Sequence, residues 1–360
     1  MTFGCQQSTV AMYLINQFTL IMENPTKTLQ VACAGEALID LIAQRDGLYE
    51  PCLGGAVFNL TRALARQDIG TLYLNPLSRD RFGRQLAAGL VGDGVQLGQP
   101  QPVTQITSLA VVALDDSGHP DYAFYRQGVA DRAVTADNLI QLCQREPALD
   151  LVCTGALALD PEDAGRYLPW LRAQRDAGRV VVVDANLRPS VMPDLDAYRR
   201  NVYAAMQIAD VIKVSDEDLE NLATPGGNAL AQAHYLLQAS GARLLVLTQG
   251  AQGACLLAHD GQQWQARESR PLKVVDTVGA GDCFLAGFVA ALLTRNEGAA
   301  GAGGSAGSGA LLATLDDTAG RRLLAHAVAS ASLCVMRRGC VPPTRQEVKA
   351  RVEQEPCVFG

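Results

Sequence analysis

Residues 276–288 read "DTVGAGDCFLAGF". Cys283, Phe284, Leu285 and Phe288 look like the start of a long apolar helix, yet that helix opens on two glycines and an aspartate. Glycine costs about 1 kcal/mol relative to alanine inside a helix, so Gly279 and Gly281 need a local reason. The first helical turn leaves backbone N–H groups without partners, and such groups converge readily on an anion. Glycine lets that anion reach the main chain with no side chain in between. Gly279, Ala280 and Gly281, read as lying between a strand "PLKVV" and the helix, therefore make a phosphate cradle. Asp282 falls in the same turn, where the helix dipole favours its ionised form and leaves it a weak base. That suits phosphoryl transfer, which rests on positioning and charge stabilisation. Turn chemistry alone also places Gly-x-Gly-Asp at capped structural helices, so the rest of the chain has to decide.

The 360 residues suffice for one large domain or two ordinary ones. With 48% hydrophobic and 19% charged residues, the composition is that of a soluble globular protein with ample core. The 30 basic and 37 acidic residues give a net charge of −7 with no dense basic run, which argues against nucleic acid as a partner. The ten cysteines are scattered, without a Cys-x-x-Cys pair or a histidine at ligand spacing. They read as reduced thiols of a cytoplasmic protein, packed as small apolar residues. His119, His234, His259 and His326 show no ligand spacing and read as surface or structural residues. Near the N-terminus, "STVAMYLINQFTLIM" is too short and too polar for a membrane span, with no basic region before it and no Ala-x-Ala site after it. Residues 1–28 read as an extension, either disordered or upstream of a true start at Met22. Residues 297–310, "EGAAGAGGSAGSGA", read as a flexible surface insertion.

Between these segments, apolar runs alternate with helical spacing. "LQVACAGEALIDLI", "TLYLNP", "LDLVCTG", "GRVVVVDAN", "ADVIKVS", "ARLLVLTQG" and "GACLLAHD" read as strands. "GGAVFNLTRALARQ", "DRFGRQLAAGLVGDG" and "PEDAGRYLPWLRAQRDAG" read as helices. The alternation predicts an α/β fold with a mostly parallel central sheet flanked by helices. Residues 104–126 break the rhythm as two strands joined at "DDSGHP", and with "GLYEPCL" near residue 50 they predict a small sheet standing off the main domain. An antiparallel edge of the same large sheet remains the alternative. The main folded unit spans 29–355, with the small sheet built from about 42–53 and 104–128. The chain lacks Gly-x4-Gly-Lys-Ser/Thr, and no Gly-x-Gly-x-x-Gly leads to a distant acid.

With that context, "DTVGAGDCFLAGF" resembles the C-terminal motif of the ribokinase (PfkB) family of sugar kinases. The resemblance extends from about Leu29 to about Arg351. It implies a ribokinase-like fold with a β-sheet lid, and Asp282 as general base beside an anion hole of Gly279, Ala280 and Gly281. "GEALIDL" resembles the family's first strand, implying Asp40 at the sugar; an unpaired buried carboxylate is costly, and a strand end facing a polyol would offset that cost. "GGAVFNLTRAL" is similar to the family's Gly-Gly-x-x-x-Asn segment, implying Gly54, Gly55 and Asn59 at the sugar. "KVSDEDLENL" falls where the family carries Asn-x-x-Glu near magnesium and phosphate, implying Lys213 and Ser215 at the nucleotide. Here Ser215 and Asp218 replace the usual pair, and the shorter acid points to Mg²⁺ held through water. "VLTQGAQG" resembles the turn bordering the nucleotide, implying Thr248, Gly250 and Gly253 there. The family's monovalent cation, usually K⁺, implies a site at Asp276 and Thr277, completed by carbonyls of Cys334, Arg337 and Gly339; a hard cation wants oxygens.

Within the family, "FYRQGVADR" and "DANLRPSVMPD" resemble segments of bacterial fructokinases. They add Arg126, Asn186 and Arg188 on the substrate side, the last two just past a strand end where ligands of open α/β sheets gather. The resemblance implies transfer of phosphate from ATP to the primary hydroxyl of D-fructose, giving fructose 6-phosphate. A 2-keto-3-deoxygluconate kinase and a catalytically silent sugar-binding regulator on the same fold stay open. Sugar and ATP are the expected partners, without membrane or nucleic acid. A lid built as an exposed sheet can pair with a second copy, which suggests a homodimer.

Overall fold

A strand covered on both faces needs apolar residues at every position, and "VVVVD" at 180–184 shows the result: every residue of it is buried. Val180 and Val182 pack into one core with Phe58, Phe288 and Leu324, while Val181 and Val183 pack into a second with Trp170, Tyr198 and Leu236. The alternation of side chains along a strand assigns each core to one face of the sheet. The computed structural model describes residues 27–44, 46–114, 120–296 and 311–360. The expected extension lies outside the described residues except for its last two positions; the insertion at 297–310, the turn residues 115–119 and Cys5 lie outside them entirely.

The large sheet is built from ten of the named strands. They are β1 (Val31–Cys33), β4 (Thr71–Tyr73), β5 (Gln96–Leu97), β8 (Leu151–Gly155), β9 (Val180–Asp184), β10 (Val211–Ser215), β11 (Leu244–Thr248), β12 (Ala254–Ala258), β13 (Gln263–Arg267) and β14 (Val358–Phe359). Their spatial order is β14-β13-β12-β11-β10-β9-β8-β1-β4-β5. From β11 to β5 every pairing is parallel, and β12, β13 and β14 continue antiparallel. The sheet therefore runs past the expected domain end at 355, since β14 pairs its Phe359 with Ala266.

A second sheet of four strands has the order β3-β2-β6-β7, from β2 (Leu38–Ala43), β3 (Tyr49–Gly54), β6 (Ser108–Leu114) and β7 (Pro120–Tyr125). It is separate from the large one, so the alternative of an antiparallel edge is discarded. The apolar run "LQVACAGEALIDLI" is divided between the two: β1 ends at Cys33, and after "AGEA" the chain enters β2 of the small sheet.

One expected strand is absent. "PLKVV" at 271–275 takes no regular structure, and Val274 and Val275 are 56% and 55% exposed. A run of apolar residues makes a strand only where a neighbour accepts its ladder, and here the backbone N–H groups of Val275 and Asp276 both turn to the carbonyl of Val335.

Candidate active site

Parallel strands bring their carboxyl ends to one side, and the chemistry-bearing residues gather there. Asp184 ends β9 and Ser215 ends β10, directly opposite Thr248 at the end of β11. Over these ends sits the first turn of the Ala280–Leu293 helix. Gly279 precedes it in the left-handed region at φ 77°, and a Cβ there would collide with the Cys340 sulfur. The glycine is needed on both counts, and it leaves the start of the helix bare. Gly281 faces Lys213, whose Nζ lies 3.2 Å from where a Cβ would stand.

Asp282 is buried, at 7% exposure, and its Oδ2 accepts a hydrogen bond from Asn59 Nδ2 at 3.0 Å. Burial pushes its carboxyl up to about 7, with the negative charge of Asp184 adding to the shift and the Asn59 bond, Lys213 and Arg188 opposing it. This corrects the expectation of a weak base, because loss of water around a charge outweighs a helix end. A carboxylate poised near neutrality is a better proton acceptor than one held low.

Lys213 and Asp184 are cross-strand neighbours in β10 and β9, and Nζ stands 3.0 Å from Asp184 Oδ1 with both side chains buried. Burial works to lower the Lys213 ammonium, but Asp184 and Asp218 overcome it and hold the group above its usual range. Asp184 itself rises to about 6 through burial, opposed by Lys213. The sequence reading passed over Asp184, although an acid ending four buried valines and a lysine inside "VIKVS" are each a signal of a buried pair.

Asp40 lies on β2 opposite Cys52 of β3. Its carboxylate folds over Gly54, where any Cβ would collide with Oδ2. Burial raises Asp40 to about 6 against the pull of Arg188. Gly55 opens the Ala56–Arg66 helix but has no side chain to cap it; Glu36 does so instead, its Oε1 accepting from the Ala56 N–H at 2.9 Å. Glu36 was also missed. Its other carboxylate oxygen is buried without a hydrogen-bond partner among the described residues, and burial raises the group to about 7.

Arg188 directs Nη1 to the carbonyl of Leu187 at 2.9 Å and of Asn186 at 3.3 Å, while its charge is felt at Asp40, Asp184 and Asp282. Asn186 holds φ 37° in the turn that aims this arginine. Asp218 closes a capping box with Ser215, accepting from the Ser215 N–H at 2.8 Å, and its Oδ1 takes the Leu187 N–H at 2.7 Å. It thereby ties the 186–188 turn to the end of β10. Gly250 and Gly253 bound the short turn after Thr248, both with positive φ.

Arg126 follows β7 and is 9% exposed. Its guanidinium is 3.3 Å from Asp160, 3.7 Å from Asp163 and 3.2 Å from the Leu157 carbonyl. Arg132 joins both acids, and Arg166 joins Asp163. Arg126, expected on the substrate side, is thus one member of a buried ion-pair network, as a buried charge requires. It lines a cavity of about 340 Å³ with Phe124, Arg132, Asp160 and Met192.

On the far side of the cradle, Asp276 accepts from the Val278 N–H at 3.0 Å and the Gly339 N–H at 2.9 Å. This brings Asp276 against Gly339 of the 334–339 segment. The Cys334 carbonyl accepts from the Arg337 N–H and the Gly339 carbonyl from the Val341 N–H. Each oxygen keeps a second lone pair, so the donor set suits a hard monovalent cation.

Among the described residues, no helix is long and apolar enough to cross a membrane. Residues 28–347 match the model of the pfkB family carbohydrate kinases. A fructokinase of Rhizobium leguminosarum bv. trifolii is 34% identical over 270 residues, covering 74% of this chain and 80% of that protein. The crystal structure of a fructokinase with bound ATP from Xylella fastidiosa superposes with a TM-score of 0.74 at 27% identity, covering 91% of this chain and 99% of that one. A fructokinase double mutant from Vibrio cholerae O395, in a form with fructose, ADP and potassium ion bound, shares the fold with a TM-score of 0.72 at 23% identity, covering 91% of this chain and 99% of that one. The geometry of the cradle, its buried acid and this family match agree, and the chain belongs to the pfkB family of carbohydrate kinases as a sugar kinase.

Proposed function

We propose that the chain transfers the terminal phosphoryl group of ATP to the primary hydroxyl of D-fructose, giving ADP and fructose 6-phosphate. The observation that carries this reading is the pairing of a buried Asp282, raised to about 7, with the bare backbone of Gly279–Gly281 in one helical turn. In the reaction, the Asp282 carboxylate accepts the proton of the sugar hydroxyl as its oxygen bonds to phosphorus and the bond to the ADP oxygen breaks. The main-chain N–H groups of Gly279 and Gly281 stabilise the charge on the migrating group, while that of Ala280 donates to the Thr277 carbonyl at 3.2 Å and holds the turn. Lys213, buried beside Gly281, adds a fixed positive charge.

Asp40, Gly54, Gly55 and Asn59 form the sugar side of this reading, with Arg188 beside them. The fructokinase likeness at 34% identity supports fructose as the acceptor. Ser215, Thr248, Gly250 and Gly253 form the nucleotide side, supported by the relative with bound ATP. Mg²⁺ on the ATP phosphates would neutralise their charge; Asp218 has both oxygens engaged by backbone N–H groups yet keeps lone pairs for a water of that ion. K⁺ would be held by Asp276 and the carbonyls of Thr277, Cys334, Arg337 and Gly339, fixing the turn before the cradle. The four-stranded sheet acts as the lid that excludes water. Leu48, Tyr49, Ile106 and Tyr125 are exposed on or beside it, which supports pairing of two copies through that sheet.

The test is coupled ADP release across fructose, 2-keto-3-deoxygluconate, ribose and adenosine, each with and without potassium. Fructose should give the highest kcat/KM, and potassium should raise it. Preference for another acceptor by tenfold or more would overturn fructose while leaving the kinase reading intact.

A further inference from the structure

Cys283, Cys334 and Cys340 are far apart in the sequence, but the fold brings their three sulfur atoms within 4.8 Å of one another. Cys283 follows Asp282 in the first turn of the Ala280–Leu293 helix, Cys334 lies in the last turn of the Asp317–Val335 helix packed against it, and Cys340 lies in the loop beyond. Cys283 and Cys334 are buried and Cys340 is half-buried. The absence of a side chain at Gly279 leaves room for the Cys340 sulfur. Among the described residues this is the one group of three or more His, Cys, Asp or Glu side chains close enough to hold a metal ion. Phosphoryl transfer has no use for these thiols.

Thiolates are soft donors that select soft or borderline metals. A structural zinc site closes with four ligands in a tetrahedron, and iron–sulfur clusters take four cysteines. Here three sulfurs converge with no fourth donor of these side-chain types among the described residues, an arrangement that suits a three-coordinate monovalent ion.

We propose that Cys283, Cys334 and Cys340 form a binding site for one soft monovalent cation of the Cu(I) class. On binding, each thiol that still carries its proton releases it to solvent and three Cu–S bonds form. Copper stays in the +1 state, so no electron donor or acceptor is required. The bound ion links the turn that carries Asp282 to the loop that carries Gly339, from behind the phosphate cradle.

The experiment titrates the reduced full-length protein with Cu(I) under anaerobic conditions against bathocuproine disulfonate, a competing Cu(I) chelator. One equivalent should be retained, with X-ray absorption showing three sulfur neighbours. C340A and C283A should each weaken retention at least tenfold, whereas C357A, which removes another half-buried thiol, should leave it unchanged. C340A alters a half-buried position, and its circular dichroism should match that of the parent protein. Complete loss of copper to the chelator, equal retention in C340A and C283A, two-sulfur coordination, or displacement of Cu(I) by equimolar Zn(II) would each overturn the assignment.

Discussion

Asn59 Nδ2 donates to Asp282 Oδ2 at 3.0 Å, joining the Ala56–Arg66 helix to the first turn of the Ala280–Leu293 helix. A donor to a carboxylate favours its charged form, and this bond opposes the burial that raises Asp282 to about 7. The acid must be ionised to accept a proton, so kcat/KM should rise with pH through that value. N59L removes the donor and keeps the volume, which raises the Asp282 pKa further. A hydrogen bond to a charged group contributes about 1.5–3 kcal/mol, or on the order of one to two pH units. The acidic limb of the kcat/KM profile should move up by that amount. A limb that stays in place in N59L would show that the bond does not set this titration.

D282N keeps the shape of the side chain and removes the base. Its kcat should fall by about two to four orders of magnitude, the usual range for general base catalysis, with the KM for sugar little changed. Stability should respond in the opposite sense. The folded pKa lies above the unfolded value, so the native state holds the proton over the range between the ordinary carboxylate value of 3.8 and about 7. Stability from this group is present at low pH and lost as pH rises through 7. Thermal melts of the ligand-free protein should therefore show D282N gaining on the parent between about pH 4 and pH 7, where the parent must take up a proton to fold, and levelling off above pH 7.

The Lys213–Asp184 pair sits between adjacent strands with both side chains almost fully buried. Removing one partner leaves the other charge without compensation, which typically costs about 3–5 kcal/mol. D184N and K213M should each lower the denaturant midpoint by a corresponding amount. The double substitution D184N/K213M should cost less than the sum of the two, because the partners interact directly. Additive losses would mean that the two charges are stabilised by other groups.

The architecture was legible because it depends on local pattern. Runs such as "VVVVD" can be buried only on both faces, and the alternation with helical spacing then demands a parallel sheet. The place of Asp282 in the first turn of a helix was legible from the glycines around it. Its protonation behaviour was not, since that depends on burial by segments distant in sequence. The same limit hid Asp184 against Lys213, Glu36 capping a helix twenty residues away, and the three gathered thiols. "PLKVV" misled in the reverse direction: its apolar residues suit a strand, but their backbone partner is a helix end at Val335 rather than a sheet edge.

Gly54 of β3 pairs with Leu38 of β2, and the carboxylate of Asp40, two residues further along β2, occupies the space that a side chain at 54 would need. G54A must therefore displace Asp40, since the backbone at 54 leaves no alternative position for the added methyl group. If Asp40 binds the sugar, G54A should raise the KM for sugar about tenfold or more while leaving the KM for ATP within about twofold, as loss of a charged hydrogen bond of about 1.5–3 kcal/mol predicts. D40A should give a similar change through the same missing contact. In the G54A/D40A double variant the collision partner is gone, so the second substitution should add little to the first. Fully additive losses would show that Gly54 acts on the sugar site by a route other than the Asp40 carboxylate.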